Sequence, residues 1–183
     1  MSQIILFNKP YGIVSQFSGE EHEHTLAAFI DMPNFYAAGR LDKNSEGLLL
    51  LTDNGALQHK LTHPKFNKRK YYWVQVEGAP CDEDLEVLRN GLVLKDITFL
   101  PAEARLIDEP KLWSRNPPIR FRKNVPTKWL EIILNEGKNH QIRKMTAAIG
   151  FPTLRLVRHR ISDWQLDNLQ PGEYKIIHTA LKK

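Results

Sequence analysis

Apolar residues fall in three patterns along this chain, and each predicts a different kind of element. The run from Ile4 to Phe7 is short and wholly apolar, and Asn8-Lys9-Pro10-Tyr11-Gly12 closes it with turn formers, which predicts a first strand. Leu48 to Leu51 is a second such run, stopped by Asp53-Asn54-Gly55, and predicts a buried strand. Strict alternation marks Tyr71 to Glu77, with Tyr72, Val74 and Val76 on one face and Tyr71, Trp73 and Gln75 on the other; Trp129 to Leu134 alternates similarly. Helical spacing joins Leu85 to Leu88 within Asp82–Arg89, and joins Ile142, Met145 and Ile149 ahead of Gly150 and Pro152.

The remaining segments give weaker patterns. Thr25 reads as the N-cap of a short helix through Ile30, and Thr52 or Asp53 as the cap of another from Ala56 to Leu61, ended by His63-Pro64. Short strands are expected at Leu92–Leu94, Ile97–Leu100, Ala102–Ile107 and Tyr174–Ile177. Residues 153–161 begin as a strand, but their period breaks near Val157, which predicts a bulge or strand end there. From Glu109 to Thr127 the chain carries four prolines and five Lys or Arg, so a long loop is expected, either a structural tether or a contact to phosphates through Arg115, Arg120, Arg122 and Lys123, with Trp113 and Phe121 between.

At 183 residues the chain fits one domain with a full hydrophobic core. Cys81 is the sole cysteine and cannot close an intrachain bridge, which points to a reducing compartment. No apolar run approaches the roughly 20 residues of a membrane span, and the N-terminus lacks the order of a signal peptide, so the cytoplasm is expected. Lys and Arg exceed Asp and Glu by 26 to 21. The surplus is clustered, in Lys65, Lys68, Arg69 and Lys70 and again in Lys138, Arg143, Lys144, Arg155, Arg158 and Arg160, a distribution that suits a polyanionic partner or a solvated basic face. His22 and His24 lie two apart, and His59 and His63 four apart, but nothing nearby completes a zinc or iron site, so no metal is expected.

The densest candidate chemistry lies between Gly39 and Gly55. Asp42 sits there in a polar, Gly-flanked segment with Arg40 and Lys43 within two residues. An Asp in such a place can simply cap its own turn. The neighbouring cations also favour a carboxylate suited to a nucleophile or charge stabiliser. A glycoside hydrolase would pair Asp42 with a second carboxylate, for which Glu46 is the nearest candidate, yet the basic clusters have no evident use for a neutral sugar.

These residues, in their order, resemble the pseudouridine synthases that modify ribosomal RNA, in the small-subunit branch of that group. Gly39-Arg40-Leu41-Asp42 followed by Ser45-Glu46-Gly47, Leu48 to Leu51 and Thr52 matches its second motif, with Ser45 where Thr is usual and Asp53-Asn54 reversing the usual Asn-Asp. Asn8-Lys9-Pro10-Tyr11-Gly12 matches the first motif, which supports the active-site loop. Lys70, Tyr72, Val74 and Val76 match the next, and its register selects Tyr72 over Tyr71. Gly137, Lys138, Asn139, His140, Gln141, Ile142 and Arg143 fill a further motif without a gap, and Leu156, Arg158 and Ile161 match a closing segment with Ser162 where Gly is usual. The Tyr36-to-Asp42 entry and the Arg115-to-Arg120 insertion look most like members that act on the large subunit.

The resemblance implies an α+β fold, a mixed and mainly antiparallel sheet flanked by helices with a central cleft. It implies isomerisation of one uridine in large-subunit ribosomal RNA, without a cofactor. Asp42 would be the nucleophile, Tyr72 would stack on the uracil and Arg143 would hold the Asp42 carboxylate. Arg40, Lys70, Lys138, Asn139, Gln141, Lys144, Leu156 and Arg158 would line the substrate path. Most relatives in this branch begin with a small S4-type RNA-binding domain, whereas the first motif here begins at Phe7. The expectation is therefore a single catalytic domain over residues 1–183, acting as a monomer, with RNA affinity supplied by that domain and its insertion. The alternative is an inactive ribosome-assembly factor that binds ribosomal RNA.

Overall fold

A computed structural model describes residues 2–19, 24–120 and 122–179. The His22 spacing and Phe121 lie outside the described residues. In chain order the elements are β1 (Ser2–Lys9), β2 (Tyr36–Ala37), β3 (Glu46–Thr52), α1 (Gly55–Thr62), β4 (Lys70–Glu77), α2 (Glu86–Arg89), β5 (Leu92–Leu94), β6 (Ile97–Phe99), β7 (Glu103–Ile107), β8 (Thr127–Leu134), α3 (Gln141–Ala148), β9 (Thr153–Ile161), β10 (Trp164–Gln165) and β11 (Tyr174–Thr179). Few helices and many strands make an α+β fold. The chain parts into two compact units, residues 1–68 with 159–183 and residues 69–158.

In the first unit β1 lies between β11 and β3, antiparallel to both, and β2 pairs with β3. All seven residues of β3 are buried, including Leu48 to Leu51 at 0% exposure, so both of its faces are covered and no alternation was there to be read. α1 begins at Gly55, one residue before the expected Ala56, and neither Thr52 nor Asp53 is its cap. Thr52 Oγ1 is already engaged, donating to Gln3 O at 2.7 Å and accepting from Asn54 N at 3.2 Å, so Asn54 is the N-cap and accepts from Leu57 N at 3.0 Å. The helix expected after Thr25 is a single 3-10 turn, Leu26–Ala28, and Thr25 makes no side-chain cap.

In the second unit β8 lies between β4 and β7, antiparallel to both. Tyr72, Val74 and Val76 are buried and Tyr71, Trp73 and Gln75 half-buried, as alternation requires of a strand with one face in the core. Residues 83–85 form a 3-10 turn that runs into the short α2, with Leu85 and Leu88 buried. The turn is held at its start by the Asp84 carboxylate, which accepts from Cys81 N at 2.8 Å, and at its end by Arg89 pairing with Asp82 and Glu86. β5 and β6 form a separate hairpin.

One expectation is corrected at β9. The strand runs unbroken for nine residues, and the period fails at Val157 because Arg155, Leu156, Val157 and Arg158 are all buried, covering both faces. A half-buried strand alternates, while a strand covered on both sides does not. Among the described residues no helix is long and apolar enough to cross a membrane.

Candidate active site

In the first unit the loop carrying Asp42 is fixed on both sides of that residue. Ser15 Oγ donates to Leu41 O at 2.7 Å and accepts from Leu41 N at 3.0 Å, so one hydroxyl satisfies both backbone groups of the residue before Asp42. On the other side Lys43 O accepts from Gly12 N at 2.9 Å and from Lys9 Nζ at 3.5 Å. Ser45 N donates to Asp42 O at 3.0 Å and closes the turn. Asp42 is left half-buried, with Arg40 and Lys43 exposed beside it.

Lys9 is the larger surprise of this loop. A solvated turn lysine is the plain reading of Asn-Lys-Pro, yet Lys9 is 0% exposed. Its ammonium donates to Ile13 O at 2.7 Å and Pro10 O at 2.9 Å, besides Lys43 O. A buried cation needs acceptors for its three donors, and three carbonyls of two loops supply them. Gly12 has φ +85°, a conformation that L side chains rarely adopt, and it presents its N–H to the same carbonyl of Lys43. Glu46, the second carboxylate that a glycoside hydrolase would require, is 1% exposed on β3 and does not face solvent.

In the second unit a polar cluster organises the turn before α3. Glu136 Oε1 accepts from Gln141 Nε2 at 2.7 Å and from Leu100 N at 2.8 Å, and its Oε2 lies 3.4 Å from Lys138 Nζ. Gln141 Oε1 accepts from Lys138 N at 3.0 Å while Gln141 N donates to Lys138 O at 3.1 Å, so Lys138 and Gln141 bind each other's backbone. Lys138 Nζ also donates to Thr98 O and lies over the Phe99 ring. Of the expected substrate contacts, Lys138 and Gln141 thus join the β5–β6 hairpin to the α3 entry, whereas Asn139 and Lys144 are exposed. His140 takes a left-handed φ of +53°, and Arg143 projects half-buried from the first turn of α3.

Tyr72 is 8% exposed and Leu156 is buried. Arg158 is 3% exposed, and Arg155 is buried with its guanidinium donating to Trp113 O at 3.0 Å. Two of the six cations in the second sequence cluster therefore lie inside the fold, and the surface footprint is smaller than the sequence count. In the long loop Arg115 donates to Pro117 O and Leu154 O, and Arg122 pairs with Glu77 at 3.0 Å, so these two cations tie the loop down, while Arg120 and Lys123 are exposed.

Lys70 has an unusual setting. Burial, with the like charge of Arg158 second and against the opposing pull of Glu136, lowers its pKa to about 8. A folded-state pKa below the unfolded 10.5 means that the unfolded chain binds more protons between about pH 8 and 10.5, so stability rises with pH across that window and the penalty is present in full below it. Lys70→Met is expected to raise Tm at pH 7 and to flatten the rise between pH 8 and 10.5, which calorimetry over that range would measure. An unchanged pH profile would show that Lys70 is solvated.

A sequence signature of RNA pseudouridylate synthases matches residues 3–148. The chain belongs to that family. Membership makes it an isomerase of uridine in RNA. Among its relatives, the ribosomal large subunit pseudouridine synthase E of Vibrio parahaemolyticus is 56% identical over 175 residues, covering 96% of this chain and 74% of that protein. The protein of the same name from Xanthomonas axonopodis pv. citri is 56% identical over 171 residues, 92% of this chain and 90% of that one. A crystal structure of a pseudouridylate synthase superposes with a TM-score of 0.79 at 28% identity, covering 97% of this chain and 71% of the other. The ribosomal small subunit pseudouridine synthase A of Escherichia coli is 34% identical over 177 residues, covering 93% of this chain and 68% of that protein.

Two contributors escaped the sequence reading. Ser15 gave no signal, because one serine in a loop looks like any other. Glu136 did give one, a lone acid immediately before Gly137-Lys138 in a basic segment.

Proposed function

We propose that this protein converts one uridine of large-subunit ribosomal RNA to pseudouridine, in the cytoplasm, as a monomer and without a cofactor. The observation that carries the reading is identity of 52–57%, over 92–96% of this chain, to four proteins named ribosomal large subunit pseudouridine synthase E. The reaction breaks the bond from uracil N1 to C1′ of the ribose, turns the base, and forms a bond from C1′ to C5. The C5 proton leaves to solvent and N1 gains one, so no electrons are exchanged with any partner and no energy source is consumed.

In this reading Asp42 is the nucleophile, and the loop clamped at Leu41 and Lys43 serves to hold it still. Arg143 is the cation that the resemblance to the family assigns to that carboxylate. Tyr72 supplies a stacking face worth about 1–3 kcal/mol, against the few kcal/mol that extracting a base from its stack costs. Leu156 walls the apolar side, Arg40, Asn139 and Lys144 meet the backbone of the RNA, and Lys70, Lys138, Gln141 and Arg158 set the shape and charge of the substrate path.

The test is release of tritium from protein-free 23S RNA labelled at C5 of uridine. Release approaching one equivalent per RNA is expected. No release from free RNA or from ribosomal assembly intermediates would overturn the proposal.

A further inference from the structure

Residues 54–76 contain no Asp or Glu, yet hold Lys60, Lys65, Lys68, Arg69 and Lys70 together with His59 and His63. In the first unit, the C-terminal end of α1 and the 3-10 turn Pro64–Phe66 gather three rings from this segment. His59 and His63 are exposed, with ring centroids 4.8 Å apart at 43°. Phe66 stands edge-on to both, at 5.9 Å and 88° from His59 and at 6.4 Å and 77° from His63. Lys65 Nζ lies 4.9 Å from the centre of the Phe66 ring.

The backbone holds these rings in place. His63 N donates to His59 O at 2.9 Å, closing α1, and His63 Nδ1 accepts from Lys65 N at 3.2 Å, capping the turn. With Nδ1 accepting, the ring proton of neutral His63 is on Nε2, where it can donate outward. Asn67, at φ +45°, ends the turn and accounts for its tightness. None of these groups belongs to the loop of Asp42 or to the α3 entry, and among the described residues no cluster of His, Cys, Asp and Glu could hold a metal.

We infer that His59, His63 and Phe66, with Lys65 beside them, form a stacking shelf for single-stranded RNA flanking the modified uridine. The inference rests on the family's RNA substrate and not on the roles assigned to Asp42, Tyr72 or Arg143. Aromatic faces with cations close by and no acid in the segment fit a polyanion whose bases are unstacked; every base has a face to offer, so such a shelf selects single strands over a sequence. A duplex keeps its bases stacked internally and could use only the cations.

The test uses the full chain and fluorescein-labelled RNA of about twelve nucleotides, single-stranded or as a duplex, read by anisotropy. His59→Gln with His63→Asn removes both imidazoles but keeps a good helix former at 59 and an acceptor for Lys65 N at 63. The double variant is expected to lose about tenfold in affinity for single strands and less than about twofold for duplex. Lys65→Gln is expected to lower the dependence of log affinity on log salt by about one unit or slightly less. Equal losses on both RNAs, or no loss on single strands, would overturn the shelf. A second readout needs no variant: the imidazole C–H resonances of His59 and His63 shift on titration with single-stranded RNA, and their failure to move would overturn it equally, including if the shelf serves a protein partner. Turnover is measured in parallel, because loss of tritium release by the wild type sinks the proposed function while leaving the binding arms readable.

Discussion

Asp42→Asn is expected to reduce tritium release by at least about 10⁴-fold while leaving affinity for ribosomal RNA within about twofold of wild type. The size follows from the role: a residue that forms or directs the covalent change is not replaced by the remaining binding energy, which supplies orientation only. The specificity of the test follows from the loop. Ser15 holds Leu41, Gly12 and Lys9 hold Lys43, and Ser45 N binds the carbonyl of Asp42, so none of these bonds uses the Asp42 side chain. An amide of the same shape leaves each of these bonds available, and an unchanged Tm beside the retained RNA affinity is what lets a change in rate report chemistry rather than misfolding. Asp42→Ala, with the same outcome, guards against traces of activity restored by deamidation. If both variants lose turnover and keep RNA affinity, an assembly factor without activity is excluded. If neither loses turnover, the nucleophile is elsewhere and the motif has been misread.

How much of this was legible beforehand depends on which side of each strand meets the core. β4 announced its buried face because Tyr72, Val74 and Val76 alternate with residues that meet solvent. β9 concealed itself because Arg155 and Arg158 are buried beside Leu156 and Val157, and charge in a covered strand imitates a strand end. The same ambiguity inflated the basic cluster, since a sequence count cannot tell a guanidinium held by Trp113 O from one waiting for phosphate. The cap of α1 was misassigned because a side chain had a prior engagement, Thr52 with Gln3 O. The motif order pointed to the Asp42 loop, but the rigidity of that loop comes from Ser15 and Lys9, whose partners are carbonyls and amides one to thirty-four positions away. A contact to backbone has no residue type at its far end, so no spacing rule reveals it.

Lys9→Met is expected to lower stability by about 2 kcal/mol and kcat by about 10²-fold, with KM for RNA little changed. Two effects oppose each other in the stability. Removing a buried ammonium returns part of its desolvation cost, several kcal/mol for an ion taken fully out of water. Against that, Ile13 O at 2.7 Å loses a donor in a buried site, at about 1–3 kcal/mol, Pro10 O at 2.9 Å loses one in a part-buried site at a smaller cost, and Lys43 O retains Gly12 N. The thioether chain fills similar volume, so no large cavity adds to the loss. The sum is a moderate fall in Tm. The rate is more sensitive, because Lys43 follows Asp42 directly and a displacement of about 1 Å at a reacting group can cost about 10²-fold. Denaturant unfolding and single-turnover tritium release separate the two. A fall in Tm with kcat unchanged would mean that Ser15 and Gly12 suffice to place Asp42, and Lys9 would then belong to the stability of the first unit alone.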